Sequence, residues 1–187
     1  MNISRVTLFA GHYGSGKTNI AVNYAKYLAA LSYPVTIADL DIVNPYFRTK
    51  DSEAELAACG IRLICPTYAN TNLDLPALPA QMYDIIRERE RYAVLDIGGD
   101  DRGAYALGRY APEILEENRY EMLFVANFYR PLTETAADAL EVMREIECAC
   151  GMRFTALVNN SNLGEETTAQ TVLETQSKIC LLYTSPS

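Results

Sequence analysis

The segment Gly11-His12-Tyr13-Gly14-Ser15-Gly16-Lys17-Thr18 constrains this chain more than any other feature, because it satisfies G-x-x-x-x-G-K-[ST] in the context that gives the pattern meaning. The apolar run Val6 to Ala10 precedes it. Lys17 to Leu31 follows, with Ile20, Ala21, Tyr24, Leu28 and Leu31 at helical spacing. Strand, glycine-rich loop and helix in that order make a cradle for phosphate. The glycines let consecutive N–H groups curl around an anion with backbone angles that a Cβ would oppose. The dipole and free N–H groups at the start of the helix favour the same charge. Lys17 is then placed to neutralise two phosphates, the Thr18 hydroxyl suits Mg2+, and Asn19 continues the first helical turn beside them. From average residue usage, a chain of this length matches the pattern by chance at roughly one in two hundred, so a solvated glycine turn is the weaker reading.

Six β-rich runs alternate with helical or irregular segments, the pattern of a parallel sheet with helical crossovers. The strands are read at Val6 to Ala10, Val35 to Ala38, Arg62 to Cys65, Ala93 to Ile97, Met122 to Asn127 and Phe154 to Asn159. Helices are expected from Lys17 to Leu31, after a capping box at Ser52-Glu53-Ala54-Glu55 with Gly60 as stop, from Pro79 to Arg91, from Tyr105 to Asn118, and from Thr133 to Cys150. Thr133 serves as N-cap and Gly151 as terminator of the last. The expected fold is α/β: a doubly wound, mainly parallel sheet with helices on both faces. No repeat or linker divides it.

A magnesium–nucleotide site needs carboxylates at strand ends on the same sheet edge as the loop. Asp96 ends the run Ala93-Val94-Leu95-Asp96-Ile97-Gly98-Gly99, and Gly99 is placed to sense a terminal phosphate through its N–H. Asp39 and Asp41 leave the second strand with matching side-chain parity. A P-loop, this D-x-D and the following D-x-G-G together resemble the MinD/ParA group within the signal-recognition, MinD and BioD class of P-loop NTPases. Residues 38–48 and 96–101 are similar to bacterial ATP-binding proteins that carry the cobyrinic acid synthase nucleotide-binding domain.

The resemblance implies that Lys17 stabilises the transferring phosphoryl group and that Thr18, Asp39 and Asp96 hold Mg2+. It assigns Asp41 to the attacking water, and it places an adenine contact at the end of a late strand, where Leu157-Val158-Asn159-Asn160 offers Asn159 in preference to Asn160. Asn159-Asn160-Ser161-Asn162 lacks the aspartate that a guanine site needs, so ATP is expected over GTP. The expected function is a Mg-dependent ATPase that acts as a nucleotide switch. Alternatives are a ligase of the dethiobiotin synthetase or cobyrinate amidation type, acting on a small carboxylic acid, and a weakly hydrolysing scaffold or metallochaperone. His12 and Tyr13 stand where many members of the group carry the lysine and glycine used across a dimer interface, which leaves a homodimer open. A protein partner remains unspecified.

Asn44 to Lys50 reads as a switch loop with Arg48 available to an anion, Pro66 to Pro79 as a long loop near the functional edge, and Asp100-Asp101 as a cap for the next helix. With 24 acidic and 16 basic residues the formal charge is -8, which argues against general nucleic-acid binding. No run reaches the roughly 18 apolar residues of a membrane span, and no secretory segment opens the chain, so a cytoplasmic location is expected. Five cysteines, an odd number, argue against a disulfide framework. Cys148 and Cys150 are read as buried thiols rather than metal ligands. The last eight residues, Cys180 to Ser187, match the translation of a transposase-type sequencing adapter in one frame; a genuine short strand and tail is the alternative. Residues 1–179 are accordingly expected to form a P-loop domain incomplete at its C-terminus, and 180–187 a non-native tail.

Overall fold

The computed structural model describes residues 3–41, 52–65, 81–99 and 101–184. The switch loop with Arg48, the loop from Pro66 to Pro79, and Asp100 lie outside them. Six strands, β1 (Val6–Ala10), β2 (Val35–Leu40), β3 (Arg62–Ile64), β4 (Tyr92–Ile97), β5 (Tyr120–Ala126) and β6 (Ala156–Asn159), form one sheet in the order β3-β2-β4-β1-β5-β6. Every pairing is parallel. Alternation along the strands divides the apolar residues between two layers. Val6, Leu8 and Ala10 of β1 join Ala93, Leu95 and Ile97 of β4 in one core, and Phe9, Val35, Ile37 and Val94 join a second.

Helices cover both faces, as expected of a doubly wound sheet. On the second core lie α1 (Lys17–Ala30), through Ala21, Val22, Ala25 and Leu28, and α2 (Glu53–Ala58), through Leu56. The first core is covered by α3 (Met82–Arg87), α4 (Asp101–Gly108), α5 (Ala111–Glu117), α6 (Ala136–Cys150) and α8 (Gln176–Thr184). A short helix, α7 (Ala169–Glu174), precedes α8. Among the described residues no helix is long and apolar enough to cross a membrane.

Several boundaries differ from the sequence reading, for physical reasons. The single helix expected from Tyr105 to Asn118 is two. Pro112 stands in the first turn of α5, where its missing N–H costs nothing, and Gly108 ends α4 where a Cβ would come within 3.3 Å of the Ala149 carbonyl. The N-cap of α6 is Thr135 rather than Thr133. Thr133 is buried and its hydroxyl donates to the Asn127 carbonyl at 2.8 Å. Ser52 adopts helical angles and does not cap α2 with its side chain, so the expected capping box is absent. The helix expected to reach Arg91 ends at Arg87, and Arg91 instead donates to Thr36 Oγ1 and the Val35 carbonyl as the chain enters β4. All five cysteines are free thiols, but only Cys150 is buried; Cys148, two residues away on the same helix, faces solvent.

Candidate functional site

The loop between β1 and α1 has the backbone its glycines permit. Gly11, Gly14 and Gly16 have φ of +148°, +77° and +88°. A Cβ on Gly11 would lie 2.4 Å from the Val125 carbonyl of β5, so this close approach is closed to any other residue. Ser15 N–H donates to the His12 carbonyl and tightens the turn. Gly16 precedes α1 in the left-handed conformation, with no side-chain cap and no acidic residue in the first turn. The first turn of this 14-residue helix thus supplies no carboxylate of its own to its first N–H groups. Lys17 is buried to 7% exposure, and its ammonium lies back along the loop to donate to the His12 carbonyl at 3.3 Å. Thr18 is half-buried and Asn19 exposed on the same turn. The His12 ring meets the Tyr13 carbonyl, and the Tyr13 side chain is exposed.

Two acids stand beside this loop. Asp39 and Asp96 are register partners across β2 and β4 and share the strand parity of Ile37 and Val94, so both belong to the face that α1 covers. They are 5% and 2% exposed. Asp39 Oδ1 accepts from the Asp41 N–H at 2.8 Å, which seats Asp41 just beyond the strand end. Burial raises the Asp96 carboxyl from 3.8 to about 7, helped by the charge of Asp39 and opposed by the Thr18 hydroxyl and the Lys17 ammonium. Its Oδ1 is buried without a hydrogen-bond partner among the described residues. Gly99, past the end of β4, backs onto the loop: a Cβ there would lie 2.6 Å from Tyr13 N and 2.8 Å from Tyr13 Cα. Any side chain at Gly99 would displace the phosphate loop itself.

The opposite flank is built by the ends of β5 and β6. Asn159 donates to Thr175 Oγ1 at 2.9 Å and accepts from Ser161 N–H at 3.2 Å, so its carboxamide is turned toward the segment around α7. Its neighbour Asn160 faces the loop and donates to the Ser15 carbonyl at 2.7 Å. Arg130, which the sequence reading did not single out, also reaches this flank. A Cβ on Gly14 would meet its Cδ and Nε at 3.7 Å each. The usable signal was the asparagine that closes an apolar strand at Asn127; no spacing rule says that the segment after it folds over the loop.

No protein-family model matches the chain, and no curated protein sequence matches it. Solved structures do match. The kinase domain of VpsO aligns over 85% of this chain and 85% of its own, at 16% identity and a TM-score of 0.58. The signal recognition particle receptor FtsY from Elizabethkingia anophelis aligns over 84% of this chain and 50% of its own, at 16% identity and a TM-score of 0.50. The chain thus spans half the length of that receptor structure. At such identity the likeness establishes a fold, the P-loop NTPase fold, in which the glycine loop, Lys17 and the two strand-end acids occupy one edge of the sheet.

Proposed function

We propose that this protein binds Mg-ATP and hydrolyses it as a nucleotide switch of the MinD/ParA kind. The observation that carries the reading is the acid pair Asp39 and Asp96, buried side by side on the α1 face next to a P-loop whose lysine is already folded over it. A buried carboxylate pair with an orphaned oxygen is costly unless a cation offsets it. The donors are oxygen atoms, which suits a hard divalent ion. Among the described residues no three His, Cys, Asp or Glu side chains cluster closely enough to hold a metal on their own. Mg2+ characteristically takes one or two carboxylates and completes its shell with phosphate and water, so the residues present fit the nucleotide-bound ion.

In this reading Thr18, Asp39 and Asp96 hold Mg2+, which when bound would neutralise charge on the phosphates. Gly11 to Thr18 supply backbone donors, Lys17 swings from the His12 carbonyl to the phosphates, and Asp41 orients the attacking water. Gly99, resting on the Tyr13 backbone, links the presence of the terminal phosphate to the segment that leads into α4. ATP rather than GTP follows from Asn159-Asn160-Ser161-Asn162, which has no carboxylate to read a guanine. The test is direct binding and turnover of ATP and GTP with Mg2+ by wild type and Lys17→Ala. Loss of the buried ammonium should weaken ATP binding by about 100-fold or more, from charge-assisted contacts of about 3 kcal/mol. Binding and turnover that survive Lys17→Ala would refute the reading.

A further inference from the structure

One cation beside the phosphate loop has no part in the function proposed above. Arg130 follows β5, on the side of β1 away from Asp39 and Asp96. Its aliphatic stem and Nε lie along the loop at Gly14, within van der Waals reach of where a Cβ would stand. The side chain is exposed, and among the described residues its guanidinium takes part in none of the ion pairs.

Its backbone, by contrast, is held tightly. Arg130 N–H donates to the Asn127 carbonyl at 3.3 Å, and its own carbonyl accepts from Thr133 N–H at 3.2 Å. The Thr133 hydroxyl donates to the Asn127 carbonyl, Asn127 Oδ1 accepts from Tyr129 N–H at 3.1 Å, and Ser161 Oγ accepts from Phe128 N–H at 3.1 Å. Asn127, Thr133 and Ser161 are 1%, 2% and 1% exposed. Three buried polar side chains are thus committed to fixing the turn from which this one arginine departs. A solvated surface arginine needs no such support, whereas a ligand-binding one gains affinity from a backbone that need not be ordered on binding.

We propose that Arg130 is a second phosphate-binding cation of the site, holding the phosphates that a nucleoside diphosphate and triphosphate share. The inference rests on the reading that the loop binds a nucleoside triphosphate. The strand order decides which phosphates are meant. With Asp39, Asp41 and Asp96 assigned above to the metal and the attacking water, the terminal phosphate would face the flank of β2 and β4, and a cation on the β5 flank would meet the part of the chain nearer the nucleoside. A guanidinium offers paired donors that match two phosphate oxygens, which an ammonium does not.

The experiment measures ATP and ADP affinity and ATP turnover, with Mg2+, for wild type, Lys17→Ala, Arg130→Gln and Arg130→Lys. Arg130→Gln should weaken ATP and ADP by the same factor, about 10-fold, and raise KM equally while leaving kcat within about twofold; Arg130→Lys should recover part of the loss. Unchanged affinity for both nucleotides would overturn the inference. So would a loss confined to ATP, which would put the arginine on the terminal phosphate. A wild type that binds neither nucleotide sinks the parent function and the inference together. A wild type that binds both, with Lys17→Ala defective and Arg130→Gln normal, sinks the inference alone.

Discussion

Asp96 holds a proton that an aspartate in water would have lost. Burial is the main cause, the neighbouring Asp39 charge adds to it, and Thr18 and Lys17 only partly offset the two. Between 3.8 and about 7 the folded protein keeps this proton while the unfolded chain has released it, so the folded state binds more protons and stability declines as pH rises through that window. The contribution is complete below 3.8 and gone above about 7. Asp96→Asn carries no such proton. Without nucleotide or Mg2+, its urea midpoint should therefore gain on that of wild type as pH rises from about 4.5 to about 8. Parallel midpoints across the range would show that the carboxyl titrates normally and that the acid pair is not desolvated. Asp39 and Asp96 were legible because a carboxylate ending an apolar strand is a local pattern. That Asn160 rather than the preferred Asn159 meets the loop, and that Arg130 reaches it, were not, because both depend on where two loops more than 100 residues from the P-loop come to rest.

At the scale of elements, the strands were the easiest to read, since a strand covered on both faces is a largely apolar run, as in β1, buried throughout, and in β4 from Ala93 to Ile97. Helix limits were harder, because they turn on which of two similar residues finds a partner. Thr133 and Thr135 both suit an N-cap. Asp138 decides between them: three residues past Thr135, it accepts from the Thr135 N–H at 3.0 Å while its own N–H donates to Thr135 Oγ1 at 3.2 Å. The Thr135 hydroxyl, donating to Asp138 Oδ2 at 2.7 Å, and after it the Thr135 N–H hold the Asp138 carboxyl below the usual carboxylate range. Thr135→Ala should cost about 1 kcal/mol in denaturant unfolding, the usual loss for a helix N-cap. Nucleotide affinity should be unchanged, since the Asn127–Thr133 turn that carries Arg130 is bonded independently of it. An unaltered unfolding midpoint would mean that α6 starts elsewhere.

The order of the sheet is a property of the whole molecule. Alternating strands and helices specify parallel pairing, but that β4 and β5 flank β1 depends on contacts about 85 and 115 residues apart along the chain, for which sequence spacing gives no rule. One side chain at the end of β1 remote from the phosphate loop ties these distant parts together. Arg5, 2% exposed, forms a bidentate ion pair with Glu117 at the end of α5 and donates to the Ile85 carbonyl of α3 at 2.9 Å and the Arg91 carbonyl ahead of β4 at 3.2 Å. Glu117 is 6% exposed at its side chain, so neither charge is well solvated. Desolvating both costs much of what their attraction returns, and the net value of the pair against an apolar replacement is small. Removing one partner is different, because the other is left buried and uncompensated. Glu117→Leu alone should lower unfolding free energy by about 3–5 kcal/mol, whereas Arg5→Met with Glu117→Leu should cost markedly less than either single change. Equilibrium unfolding of the four proteins measures the coupling. If the single variants are each nearly neutral, water reaches the pair, and the base of the sheet is held by its apolar layers instead.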